Sequence, residues 1–365
     1  MLPVSQATGS TQAAPAAEPA PEPAGRPTLV PHYPGRLVEL SGGERVYVAS
    51  TEPSEVSATA IPGASIPNAS IPAAATTTPP AAAPGEAGTR ESVLCVHGMA
   101  GSATNWTELM SLLAPEFPCD AVDLPGSGWS PPPTTMAGYS IAALATTVIK
   151  VIEQRDNGPV HLMGNSMGGL VSVKVAASRP DLVRTLTLIS PAMPDRLIHP
   201  SHAQFPLLAM PRLGDWLLRR GDAFPAENRV WGVMGMIFHD PGAVHPERVR
   251  QAVREMERRD KLAYRRDTLV GAARAITSEY LRPARAEGNA WRLAEQVRCP
   301  VLAIYGSHDR LVNPRMAGRA ARAFASCRVI VLPRTGHVAQ MEHPARVAAE
   351  FTELARAATV AARLR

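Results

Sequence analysis

From residue 92 onward, short continuous apolar runs alternate with longer stretches in which apolar residues recur every three or four positions. The runs are "SVLCVHG", "CDAVDLPG", "VHLMGN", "RTLTLIS", "PVLAIYG" and "RVIVLP", all rich in β-branched residues and too short for helices. A run without polar alternation predicts a strand covered on both faces, as in a parallel sheet. The stretches near 103–114, 139–154, 167–178, 315–326 and 341–362 predict helices. Such alternation predicts an α/β fold, with a mostly parallel central sheet and helices on both faces. Ahead of it, "RLVELSGGERVYVAS" (36–50) alternates apolar and polar positions around Gly42 and Gly43, which predicts a hairpin.

One interval breaks the alternation. Residues 192–292 hold helical patterns such as "PLLAMPRLGDWLLRR" and "RVRQAVREMERRDKLAYRRDTLVGAARAITSEYL" but no strand run. They predict a helical cap inserted into a core formed by 36–191 and 293–365. Open parallel sheets bind ligands beyond the carboxyl ends of their strands, so an insertion at a strand end is placed to roof a site.

Composition shortens the foldable part. Residues 1–35 and 51–90 are dominated by Ala, Pro, Thr and Gly and lack the large apolar residues that offset ordering entropy, so both are expected to be disordered. The second tract is a surface loop within the core, far longer than a connection there requires. The net charge of +5 arises entirely from the cap interval, which has 17 Lys and Arg against 12 Asp and Glu, with 20 of each elsewhere. Acids interleave with the bases there ("VREMERRDKLAYRRD"), the pattern of a solvated helix face, and no nucleic-acid motif is present. No basic, apolar leader and no membrane-length run is found, which predicts a soluble, cytoplasmic protein. Cys95, Cys119, Cys299 and Cys327 are widely spaced beside strand runs and are expected to be buried thiols. His199 and His202 have ligand-like spacing without a third ligand, so no metal site is expected. The pattern specifies no oligomeric state.

The chemistry centres on "HLMGNSMGGL" (161–170). A strand ends and a helix begins around Ser166, and Gly164 and Gly168, two positions to either side, let the backbone turn tightly while Gly169 allows close packing. That turn exposes the hydroxyl and aims the N–H of Met167, with the helix N-terminus, at developing negative charge. A serine hydroxyl needs a base, and the base needs an orienting group. "AIYGSHDRLV" puts Asp309 just beyond a strand, and "VIVLPRTGHVAQMEHP" puts His337 after the last one. Asp309 has a second reading as a cap for the helix that follows. An acid after the earlier strand "LTLIS" is the other option, where the nearest carboxylate is Asp195. His308 and His343 are assigned structural or exposed places.

These motifs, with "HGMAGSATNW" (97–106) and "DLPGSGWS" (123–130), resemble those of α/β-hydrolase-fold enzymes over residues 36–362. The resemblance implies a Ser166–His337–Asp309 triad, an oxyanion hole from the N–H groups of Met99 and Met167, and substrate-binding positions at His97, Gly98, Asn105 and Val338. It implies no cofactor and a small-molecule ester or other carbonyl substrate. Trp216, Trp231, Met234, Met236 and Phe238 are candidates for an apolar pocket. Epoxide hydrolases and haloalkane dehalogenases of this fold carry aspartate where Ser166 stands. "GNSMGG" and "GHVAQMEH" are also similar to motifs of hydrolases that cleave carbon-carbon bonds in aromatic ring-fission products, although those commonly carry tryptophan where this chain has Val338. Cap arginines offer a hold for such acidic substrates. Acyl transfer to an acceptor other than water would use the same residues, and a non-catalytic ligand binder remains the reading from a different class.

Overall fold

A computed structural model describes residues 30–52, 90–195, 204–210 and 212–363. The tracts 1–29 and 53–89, with the expectation of disorder attached to them, and His199 and His202 lie outside the described residues.

Eight strands form one sheet: β1 (Gly35–Glu39), β2 (Arg45–Ser50), β3 (Val93–Val96), β4 (Cys119–Val122), β5 (Val160–Asn165), β6 (Val183–Ile189), β7 (Val301–Gly306) and β8 (Cys327–Leu332). Their order is β1-β2-β4-β3-β5-β6-β7-β8. The β1–β2 hairpin pairs antiparallel and meets β4 antiparallel, while β3 to β8 run parallel. Gly42 and Gly43 take positive φ at its turn (90° and 78°), a region costly for residues with a Cβ.

Alternation along the strands supplies two cores. Leu94, Val96, Leu162, Leu186, Leu188 and Ala303 face one layer; Val93, Cys95, Met163, Ile189, Leu302 and Ile304 face the other. The second layer is covered by α1 (Thr107–Leu113) and by the last helix, α12 (Pro344–Arg363). The first is covered by α2 (Ile141–Arg155) and α3 (Met167–Ser178). In α2, Ile141, Leu144, Ala145, Val148, Val151 and Ile152 recur at helical spacing on the buried side, and the Ser140 hydroxyl accepts from the Ala143 N–H to cap the helix. β8 departs from the expectation of two covered faces: it is an edge strand, with Val331 45% exposed. Cys327 on it and Cys299 are only partly buried, whereas Cys95 and Cys119 are fully so.

Between β6 and β7 the chain forms α4 (Gln204–Ala209), α5 (Leu213–Asp222), α6 (Ala226–Ile237), α7 (Pro246–Asp260) and α8 (Arg265–Leu281). Val230, Met234 and Phe238 build a separate small core with Val338. The boundaries expected for this insertion need correction. Ala272, Ala275 and Ile276 of α8 and Ala290, Trp291 and Ala294 of α9 (Ala290–Gln296) pack into the principal core. The chain therefore returns to the sheet domain before residue 292. It is completed by α10 (Met316–Ala323), α11 (Ala339–Glu342) and α12 (Pro344–Arg363). No helix among the described residues is long and apolar enough to cross a membrane.

Candidate active site

The order β4-β3-β5 places a topological switch at β3, which has neighbours reached by connections in opposite directions. Parallel sheets open a crevice there, at the carboxyl ends of the strands. The loop after β3 (97–105) and the β5–α3 turn carrying Ser166 meet at this point.

Ser166 has φ 54° and ψ −119°, outside the ordinary regions for a residue with a Cβ. Its N–H donates to the Ile189 carbonyl (3.0 Å), and its own carbonyl accepts from Ala192 (2.9 Å), so the strained turn is held on both sides. The flanking glycines are steric requirements. A Cβ on Gly168 would lie 2.2 Å from the Val96 carbonyl oxygen and 2.5 Å from that of His97, both main-chain atoms fixed at the end of β3. Gly168→Ala is expected to destabilise the fold by about 3 kcal/mol, lowering Tm by roughly 6–10 °C for a chain of this size. A thermal melt that moves by less than about 2 °C would show that β3 and α3 can separate without cost.

Asp309 follows β7 and His337 follows β8. The His337 Nδ1–H faces both Asp309 oxygens, at 3.1 and 2.9 Å. The Asp309 Oδ1 also accepts from the N–H groups of Leu311 (2.8 Å) and Val312 (2.9 Å), which braces the turn after β7; it caps no helix, because α10 begins only at Met316 with Arg315 at its N-cap. Burial raises the Asp309 carboxyl, but the adjacent His337, its hydrogen bond and the Val312 N–H outweigh burial and hold it below the usual carboxylate range. Asp195 pairs instead with Arg315, at 3.6 Å.

Ser166 and His337 both line a cavity of about 260 Å³ walled on its other side by residues of α6, α7 and α8. Its wall includes Gly98, Met99, Asn105 and Val338 among the substrate-binding and oxyanion positions expected from the sequence. Met167 opens α3, where backbone N–H groups have no acceptor within the helix. Asn105 sits at the wall with its side chain already engaged, accepting from the Ser102 N–H (2.8 Å) and donating to the Met341 sulfur (3.4 Å). Met234, Met236 and Phe238 line the cavity, whereas Trp216 and Trp231 are exposed (51% and 41%) and do not.

His97 does not occupy the substrate-binding position expected of it. It is fully buried and does not face the cavity. Its Nε2 accepts from the Leu124 N–H (3.0 Å), which leaves Nδ1 to donate to the Gly98 carbonyl (2.7 Å). Burial pushes its pKa down to about 4, with the Gly98 carbonyl opposing and Arg259 adding to the shift, so the ring is neutral. Gly98 also accepts from the Gly101 N–H (3.1 Å). In a trans peptide the N–H of Met99 lies in the plane and points opposite to that doubly held carbonyl. Asp123 braces the loop from the β4 side, accepting from the Ala103 (2.6 Å) and Trp129 (2.8 Å) N–H groups, and burial raises its pKa to about 6.

Three further residues at the site went unread in the sequence. Asn165 donates to the carbonyls of His337 (3.1 Å) and Ile189 (3.0 Å), tying the histidine loop to the serine turn. Glu342 accepts from the Gly336 (2.7 Å) and His239 (2.8 Å) N–H groups, joining that loop to the end of α6. Arg259 reaches from α7 to the loop after β3. Asn165 adjoins the serine and could have been weighed on position alone; Glu342 carried no comparable signal. Among the described residues no group of three His, Cys, Asp or Glu side chains could hold a metal ion.

A family model described as the alpha/beta hydrolase fold matches residues 91–344. The chain is 30% identical over 263 residues to the dihydrolipoyllysine-residue acetyltransferase component of an acetoin cleaving system from Pseudomonas putida, covering 71% of this chain but only 61% of that one. It is 27% identical over 266 residues to a pimeloyl-acyl-carrier-protein methyl ester esterase of Neisseria meningitidis serogroup B, covering 72% and 92% of the two chains. It is 28% identical over 258 residues to a 2-hydroxy-6-oxononadienedioate/2-hydroxy-6-oxononatrienedioate hydrolase of Cupriavidus pinatubonensis, covering 69% and 82%.

Proposed function

The chain belongs to the alpha/beta hydrolase fold family, and from that premise we propose that it is a serine hydrolase of carboxylic esters with an apolar acyl or alcohol part. The observation that carries this reading is the buried His337–Asp309 pair opening, with Ser166, onto one apolar cavity. In the proposed cycle Asp309 fixes the proton of His337 on Nδ1, leaving Nε2 to take the Ser166 proton as the hydroxyl attacks the carbonyl. The N–H groups of Met99 and Met167 stabilise the tetrahedral oxyanion. His337 then protonates the leaving alcohol, and water, deprotonated by His337 in turn, releases the acyl group.

The charge of the wall argues for a neutral substrate. Two arginines line the cavity, and each is engaged: Arg248 by Glu108, and Arg259 by Glu255 at 2.8 Å. Arg248 also donates to the Thr104 carbonyl (2.8 Å) and the Thr107 hydroxyl (2.8 Å). A carboxylate entering here would lose hydration and meet only guanidiniums already held by Glu108 or by Glu255, which Arg258 shares with Arg259.

Carbon-carbon cleavage of ring-fission diketo acids is the second reading, favoured by the Cupriavidus relative. Val338 in the position of the tryptophan and the engaged arginines weigh against it. Acyl transfer shares the same residues, and the Pseudomonas relative's name points that way, over part of that protein's length. A panel of short- to medium-chain p-nitrophenyl esters beside a 2-hydroxy-6-oxo-dienoic acid separates the readings. The ester reading expects kcat/KM for the best neutral ester to exceed that for the acid by roughly tenfold or more; preference for the acid would overturn it.

A further inference from the structure

α7 lays a stripe of side chains along the cavity: Arg248, Gln251, Ala252, Glu255, Met256 and Arg259. Their spacing is that of one helix face. The basic, acid-interleaved segment is thus not solely a solvated surface. At the end of the stripe, Arg259 donates from Nη1 to the Ala100 carbonyl (2.5 Å) and from Nη2 to the Gly101 carbonyl (3.3 Å). Its Nε donates to Glu255 (2.8 Å), one turn earlier on the same helix, which aims the guanidinium. The loop it grips is unusual in backbone conformation, with Ala100 at φ 58°. A residue with a Cβ pays for that region, so the loop needs outside contacts to hold it.

We propose that Arg259 is a positioning residue of the cap, whose planar guanidinium holds the Ala100 and Gly101 carbonyls and so keeps the neighbouring Met99 N–H in the orientation that oxyanion stabilisation requires. The inference rests on the serine-hydrolase reading and goes beyond it: the cap completes the catalytic geometry as well as roofing the cavity. His97 holds the Gly98 carbonyl from within the core; Arg259 holds the carbonyls of Ala100 and Gly101, on the far side of Met99, from the cap. A guanidinium fork suits two adjacent carbonyls in a way that a lysine ammonium does not. Without it the Ala100 backbone is free to relax toward an ordinary conformation, carrying the Met99 peptide plane with it.

The test compares wild type, Arg259→Ala and Arg259→Lys by ester turnover, fluorophosphonate labelling rate and hydrogen exchange of the amides in 98–102. Arg259→Ala is expected to lower kcat by roughly ten- to a hundredfold, part of the loss for an oxyanion donor, with KM changed by less than about threefold. The Lys variant should fall between, low concentrations of free guanidinium should restore the Ala variant several-fold, and its 98–102 amides should exchange faster. Wild-type kcat together with wild-type exchange in the Ala variant would overturn the proposal, as would a loss of Tm without rescue by guanidinium. Failure of wild type to label would refute the hydrolase reading instead, and the exchange comparison would still decide whether Arg259 holds the loop.

Discussion

Ser166→Ala is expected to lower ester turnover by about 10⁴-fold or more while leaving Tm unchanged. Alanine keeps the Cβ and removes only the hydroxyl, so the turn retains both its backbone hydrogen bonds and its strain. Ser166→Gly sharpens the test. Glycine takes φ 54° without the Cβ penalty, and relief of that strain is expected to stabilise the protein by about 1 kcal/mol, with activity lost to the same degree. A more stable, inactive glycine variant would show that the chain tolerates strain in order to present this hydroxyl. A glycine variant that is less stable would mean that the serine side chain is itself a structural contact. Retention of activity in either variant would remove Ser166 from the chemistry.

Asp309→Asn is expected to lower kcat by about 10³- to 10⁴-fold, with KM little changed and the fold intact. Asn can keep its oxygen on the Leu311 and Val312 N–H groups, so the turn after β7 remains capped. Its NH₂ would then face His337 Nδ1, which must accept instead of donate. The ring proton moves to Nε2, and His337 loses the lone pair that would take the serine proton. Steady-state kinetics beside a thermal melt checks this directly. A loss of activity that merely tracks a loss of Tm would reduce Asp309 to a brace for the turn after β7.

Much of this architecture could be read from the chain because its strands carry the simplest signal available. β3, β5 and β7 are wholly buried, so their runs show no polar alternation, and the glycines around Ser166 announce a turn whose flanks have no room for a Cβ. β8 was harder to place on burial grounds, because an edge strand can carry the same apolar residues while leaving Val331 exposed. The cap's margins are hard to read at α9 because Trp291 fits a helical insertion until its packing against α3 and α10 is known. The place of His97 is illegible for a related reason: its nearness in sequence to the expected oxyanion loop says nothing about which side of the loop its ring occupies. The acceptor lone pair claimed by the Leu124 N–H, a residue 27 positions away, decides that. The α7 arginines look solvated in one dimension, since interleaved acids are equally the mark of an exposed face and of a buried, charge-balanced wall. Only the helical spacing of Arg248, Glu255 and Arg259 toward one cavity separates the two.

The proposed chemistry depends most directly on the nucleophilicity of one hydroxyl. Intact-mass measurement of the native protein after reaction with a fluorophosphonate, followed by peptide mapping, reports it without any assumption about the substrate. A single adduct on the peptide carrying Ser166, absent after Ser166→Ala, is the predicted result. Folded protein that takes up no label, or that labels equally well in the alanine variant, would contradict the account and turn attention to a cavity that binds ligands without reacting with them.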